Sequence, residues 1–351
     1  YEHLDTFIDV IDEGLQTSSI IQAIFEGNEA LIKKVSKDFI EVFMEKIAEQ
    51  GRNPWYLDVF LAITHVGEMN FLSNQYEIIK QFTSDQYKEA LWIPKSPGDV
   101  EYEQRKRMMR PYLSDPDVPL APEDTELAYH LKLLRIFSGC AVGRTNITTV
   151  EAKLQSILDH KSVLYALLDP ETCPHLRREM AYYLYHAVIE VEIMVPGLEY
   201  EPLLWHFMQQ SITTIKKAKM ELDHLDKTSW RDVSRGRLSF AMISIMVIHG
   251  FFDRYYTPDP SLLHDIDDEE DDENKMTDEE KYEDYENQDG KKMEEEEDNQ
   301  QEVDGSSFRR QQQQSMVLST QVPSPKEQEN IIIHLFKAIH ATYNQGSSHV
   351  T

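Results

Sequence analysis

Apolar residues in this chain recur with the period of an α-helix, and that property decides what the chain can become. Leu176, Met180, Tyr183, Leu184, Ala187, Val188 and Val191 fall three or four positions apart, so one face of a single helix gathers them, with Pro196 and Gly197 ending the run. Between Ser36 and Gly51 the set Phe39, Ile40, Phe43, Met44 and Ile47 does the same. Ser36 is placed to cap its first turn, and Gly51 suits the position just past its end. Further stripes predict helices at Leu4–Ile11, Ile20–Phe25, Trp55–Val66, Asn74–Phe82 (through Tyr76, Ile79 and Phe82), Val150–Leu158 and Ser162–Leu168. Thr125 is read as the cap of a helix carrying Leu127, Leu131, Leu134 and Phe137, and Pro202 as the first-turn residue of the next long one. No strand-like alternation appears. Helices of about 10–18 residues joined by short turns predict an all-α fold, an armadillo-like α-solenoid of stacked helical hairpins.

Two stretches break the periodicity. Pro94, Pro97, Pro111, Pro116, Pro119 and Pro122 forbid a continuous helix, so residues 94–124 read as a surface linker with room for a short basic helix at Glu101–Met109. From His264 to about Gln328 acids, then Gln311–Gln314, then Ser and Pro replace the apolar residues. Such a segment cannot bury enough surface to offset chain entropy, and disorder is the expectation. The predicted organisation is therefore a first helical block at 1–93, the Pro-rich linker at 94–124, a second block at 125–263, a disordered acidic and Gln-rich segment at 264–328, and the start of a further helix at 329–351.

Charge narrows the function classes. The chain carries a formal net charge of −28, and 22 acids against 4 lysines lie between Asp265 and Asp304 alone. A generally basic nucleic-acid binder is excluded, because phosphate neutralisation needs clustered Lys and Arg. Two cysteines, Cys140 and Cys173, rule out a disulfide scaffold and a four-thiolate zinc site, and fit a reducing compartment. The chain opens with Tyr1, without a basic and then apolar leader, and reads as an internal segment of something longer. Its longest apolar run, Leu238 to Phe252, is about 15 residues against the roughly 20 that cross a bilayer, so it is read as a central buried helix rather than a membrane span.

No catalytic, cofactor-binding or metal-ligating residue is assigned. His3, His65, His130, His160, His175, His186, His206, His224 and His249 lack the four-residue spacing of a helical zinc site, and neither a nucleophile elbow nor a phosphate-cradling glycine loop is present. Cys173, beside Pro174 at a helix entrance, is read as structural. An EF-hand aligned on Gly290 would place Tyr285 where the first carboxylate belongs, which leaves a solvated charged loop as the reading. Asn146-Ile147-Thr148 matches the glycosylation triplet and is read as chance. Basic clusters at Arg105–Arg110, Arg177-Arg178, Lys216–Lys219 and Arg231–Arg237 are read as solvent-facing charge.

Some short motifs carry a resemblance. Gly51-Arg52-Asn53, then Leu57-Asp58-Val59, then Ser73-Asn74-Gln75 resemble the RIH domain shared by ryanodine receptors and inositol trisphosphate receptors. Pro174-His175-Leu176-Arg177 leading into Tyr183-Leu184-Tyr185-His186 is similar to a later helix of that module in the inositol trisphosphate receptors, and the Leu238–Phe252 helix has its counterpart there. The resemblance covers roughly residues 20–262, and the short Pro94–Pro122 linker leans it towards the inositol trisphosphate type. It implies a cytoplasmic regulatory segment of a tetrameric, ligand-gated calcium-release channel on the endoplasmic reticulum or another internal store. The partners implied are neighbouring domains and subunits. The family's phosphate-binding residues would precede Tyr1, so inositol phosphate would bind only with the upstream half, and no ligand-binding residue is carried over. The acidic insertion departs from the family pattern. The residues alone also allow a free-standing α-solenoid scaffold that binds partner helices or acidic peptides in its groove.

Overall fold

The computed structural model describes residues 17–67, 69–95, 98–115, 117–142, 148–223, 235–257 and 321–348. In chain order its helices are α1 (Thr17–Phe25), α2 (Glu29–Ile32), α3 (Lys37–Gln50), α4 (Pro54–Thr64), α5 (Leu72–Phe82), α6 (Val100–Met109), α7 (Thr125–Ala141), α8 (Thr148–Ile157), α9 (His160–Leu168), α10 (Pro174–Leu184), α11 (Pro202–Asp223), α12 (Arg235–Arg254) and α13 (Pro325–Ser348). An antiparallel ladder of two residues per strand, His65–Val66 with Met69–Asn70, the only one among the described residues, pins the turn between α4 and α5. The fold is all-α.

Local chemistry sets the helix ends. Ser36 Oγ accepts from Phe39 N at 3.2 Å, Asn53 Oδ1 from Trp55 N at 3.0 Å and Asp159 Oδ1 from Ser162 N at 3.0 Å, each pairing an orphan donor of a first turn. Pro54, Pro174 and Pro202 stand where a missing N–H costs nothing. Gly51 closes α3 with φ +81°, which a side chain would strain. At α7 the cap position belongs to Asp124 rather than Thr125; its carboxylate accepts from the Tyr112 hydroxyl instead of capping the helix.

Packing follows chain order. α1 lies on α4, α4 on α7, α7 on α10 and α10 on α12, which makes one file. A second set, α3 on α5 with α5 on α8 and, separately, α9 on α11 with α11 on α13, is joined to it by α4 with α5, α7 with α8, α9 with α10 and α11 with α12. A line of aromatic contacts runs between them. Phe25, Phe39, Phe43, Phe60, Phe82 and Phe137 follow one another at centroid distances of 5.1–6.1 Å, mostly tilted or edge-on, as ring quadrupoles favour.

The structure corrects several readings. The Pro-rich stretch is not all surface: Pro94, Tyr102, Arg105, Met109 and Tyr112 are buried while residues between them are exposed, and Trp92 and Ile93 just before it are buried too. Proline removes helical hydrogen bonds but leaves side chains free to pack, so the stretch lies as a strap against α7, with α6 inside it. On α5 the inward face carries Asn74, Gln75, Ile78, Ile79 and Phe82, and Tyr76 points outward. The long stripe beginning at Leu176 does not stay regular. After Leu184 it widens into a π-turn, Tyr185–Ile189, where Gly250 of α12 comes so close that a Cβ there would lie 2.8 Å from Ile189 Cγ2. α12 is only half-central, with Met242 and Met246 exposed. Among the described helices it is the one long and apolar enough to cross a membrane, yet 44% of that stretch is buried, and it packs on α10 and α11 as a core helix does. The predicted Leu4–Ile11 helix, the acidic and Gln-rich stretch, the Gly290 loop and Asn146 lie outside the described residues.

Candidate functional site

The motif residues turn out to hold helix ends. The C-terminal carbonyls of α4 and α7 have no partner within their own helices. Asn74 Nδ2 donates to Ile63 O at 3.0 Å and Ile32 O at 3.4 Å, while Gln75 Nε2 reaches Gly139 O at 3.1 Å, Thr64 O at 3.3 Å and Val142 O at 3.4 Å. Arg52 lies over the Trp92 ring, 5.4 Å from its centre, and Asp58 pairs with Lys132. The Tyr183 hydroxyl lies 2.6 Å from Leu154 O and 3.1 Å from Leu158 O, covering the end of α8. The amide and hydroxyl donors of these segments are thus spent on helix-end carbonyls.

A buried polar knot fastens the strap. Arg105, read from the sequence as solvent-facing, is fully buried. Its Nη1 donates to Pro94 O at 3.0 Å and lies 3.4 Å from His130 Nε2, and its guanidinium stacks on Tyr102, 4.6 Å from the ring centre. His130 Nδ1 lies 3.1 Å from Trp92 O, so the proton sits on Nδ1 and Nε2 faces the arginine bare. Burial, then the Arg105 charge, push the imidazole down to about 3. The Tyr102 hydroxyl donates to Asp169 at 2.9 Å, Lys106 bridges Asp169 and Glu171 at 3.1 and 2.8 Å, and Arg177 Nη2 donates to Asp169 O at 2.9 Å. Arg177 was also read as solvent-facing; burial pulls its pKa down instead. Cys173 sits at the head of α10, its thiol pushed up by burial against the opposing pull of the Leu176 and His175 N–H groups.

A cleft of about 410 Å³ opens on the first file, lined by His65, Arg135, Gly139, Arg178, Glu179, Tyr182, His186 and Ser239 among others. It draws on the end of α4, on α7, α10 and the π-turn, and on the start of α12. Glu179, only 2% exposed, organises it. Arg135 grips this carboxylate with two donors, Nη2 to Oε1 at 2.6 Å and Nε to Oε2 at 3.3 Å, and Arg178 adds Nε and Nη2 to Oε1 at 3.2 and 3.0 Å. The Glu179 bonds hold the Arg135 guanidinium protonated above its usual range. Two guanidiniums thus share one oxygen and one compensating charge. The arrangement offers planar donors to an oxyanion.

No candidate site residue came from the sequence, and the cleft shows why. Arg135, Arg178 and His65 lie far apart in the chain, and the helical period alone does not say which helices meet. The signal available was the Arg177-Arg178 pair. Its two members separate, Arg177 inward to the knot and Arg178 to the cleft. Of the other basic clusters, Lys216 and Lys217 are exposed as expected, Arg237 pairs with Glu221, and Arg231 lies outside the described residues. No group of three or more His, Cys, Asp or Glu side chains placed to hold a metal occurs among the described residues.

Among the described residues these features define an all-helical protein in which several polar side chains tie helix ends together beside an arginine-lined cleft. No family model matches the chain. Among curated proteins it is similar to the inositol 1,4,5-trisphosphate receptor itr-1 of Caenorhabditis elegans, 19% identical over 213 residues, which is 60% of this chain and 7% of that protein. The similarity supports a distant relationship to inositol trisphosphate receptors, of whose length this chain spans a small part.

Proposed function

We propose that the chain is a cytoplasmic regulatory segment of an intracellular ligand-gated calcium-release channel of the inositol trisphosphate receptor type, an armadillo-like, RIH-type helical stack on the face of the endoplasmic reticulum or another calcium store. The observation that carries this reading is the similarity over 213 residues to a protein of that name. The all-helical order and the use of the motif residues as helix ties support it. Its partners are neighbouring domains and subunits of the tetramer, and inositol phosphate binding requires the upstream half of the ligand pocket. The mechanism is mechanical. Each helix pair shares buried surface with the next, so tilting one layer displaces its neighbour, and the strap knotted through Arg105 and Asp169 couples the residues near Trp92 rigidly to α7 and α10.

The test is to delete residues 17–257 from the full-length parent and record ligand-evoked calcium release from stores. Loss of release from channels that still assemble is expected, and unchanged release overturns the relay. A calorimetric titration of the isolated chain with inositol trisphosphate should show no heat of binding. Micromolar affinity would place the pocket inside this chain. The open cleft favours a second reading, the free-standing scaffold. Membrane-spanning helices encoded downstream of Thr351 would exclude it.

A further inference from the structure

We infer that the cleft between α7, α10 and α12 is a docking groove for a peptide segment that carries a carboxylate and, three or four residues away, a large apolar side chain. The inference goes beyond the channel reading and holds equally for a scaffold. Its first support is the arginine pair. Arg135 and Arg178 meet over Glu179 Oε1 at 2.6 and 3.0 Å, so their guanidiniums are held side by side before any ligand arrives, and the buried carboxylate offsets one of the two charges. Glu190, its carboxylate 3.3 Å from His186 Nδ1, sits beside the cleft but is not one of its lining residues. The lining itself carries two arginines against one glutamate, an excess of one positive charge on a chain whose net charge is −28.

The second support is what lies beside the arginines. Ser239 lines the cleft, and Met242 and Met246 follow it at three and seven positions along α12, on the same helical face. Both methionines are exposed, at 59% and 39%. Ser239 to Met246 spans about 10 Å at helical rise. An extended peptide covers that distance in three to four residues. Flexible thioethers side by side make an adaptable apolar floor. A single small anion would meet the arginines and leave this floor uncovered; a peptide with an acid and an apolar residue at that spacing meets both.

The experiment pans a random linear dodecapeptide phage library on the whole chain and measures enriched peptides by fluorescence anisotropy. Expected are sequences with Asp or Glu three or four positions from Leu, Phe, Ile or Met, whose affinity falls with salt. Arg178→Gln and, separately, Met242→Glu should each weaken them by about tenfold or more, the loss typical of a central interface contact. Because Arg178→Gln disturbs the Glu179 tie, Met242→Glu at an exposed position serves as the variant that leaves the fold intact, checked by circular dichroism. Absence of enrichment, peptides without an acid, or binding to either variant as tight as to the unaltered chain overturns the proposal. Saturable binding of inorganic phosphate that Arg178→Gln abolishes, without peptide enrichment, overturns it in favour of a small-molecule site.

Discussion

His130 is the residue at which protonation and folding are most directly coupled. Its imidazole is neutral in the fold, with Nδ1–H on Trp92 O and Nε2 against Arg105, and its pKa lies near 3 rather than 6.5. The folded-state pKa is depressed, so the stabilisation is fully present above about pH 6.5 and is lost as pH falls towards 3, because over that window the unfolded chain takes up a proton that the fold refuses. Urea midpoints measured from pH 7 to pH 5 should fall, by up to about 1.4 kcal/mol per pH unit from this group. The slope should be shallower in His130→Gln by that group's share. Gln75 makes a second residue-scale case. Gln75→Leu keeps the volume and removes the amide donor shared by the Gly139, Thr64 and Val142 carbonyls; Thr64 O keeps the Phe71 N–H and Gly139 O the Val142 N–H, so the loss in chemical denaturation should be about 1 kcal/mol.

Among the elements, the π-turn at Tyr185–Ile189 shows how a neighbour can set local structure. Gly250 lets α12 approach until its Cα sits against Ile189 and Tyr185. Gly250→Ala would gain about 1 kcal/mol of helix propensity. Overpacking against a stiff β-branched side chain costs about 1–3 kcal/mol, so a net loss near 1 kcal/mol is expected. A double-mutant cycle checks the cause: the penalty should shrink in the Ile189→Ala background, where the Cγ2 atom is gone. The strap teaches a related lesson. Its prolines marked where helix stops, and they were silent on whether Tyr102, Arg105 and Tyr112 would find a surface to pack on.

At the scale of the whole molecule, contacts run mainly between neighbours in the stack, so damage at one end should stay there. α13 packs on α11 through Ile331, Leu335 and Ala338 and touches Phe252 through Phe336. Truncation after Tyr256 removes about three buried apolar side chains, a few kcal/mol in all. The midpoint of thermal unfolding followed by circular dichroism should drop by on the order of 10 °C. Hydrogen exchange of α1 to α7, where the phenylalanine line runs, should be unchanged. Loss of protection along the entire chain would show a single cooperative core in place of a layered one.

What the sequence determined by itself was helix: the stripes at Phe39 to Ile47 and Leu176 to Leu184, the cap at Ser36, and the proline entrances of α10 and α11 all follow from near-neighbour sterics and hydrogen bonding, which a one-dimensional pattern records. It also determined that Asn74 and Gln75 were unusual, through the resemblance their motif carries. Only the tertiary structure decided where charge would go. Arg105 and Arg178 have the same side chain, yet one is enclosed by Tyr102, His130 and Pro94 O and the other opens onto a cleft over Glu179. That difference depends on which helices meet, and those meetings join residues tens of positions apart whose separation no periodicity encodes.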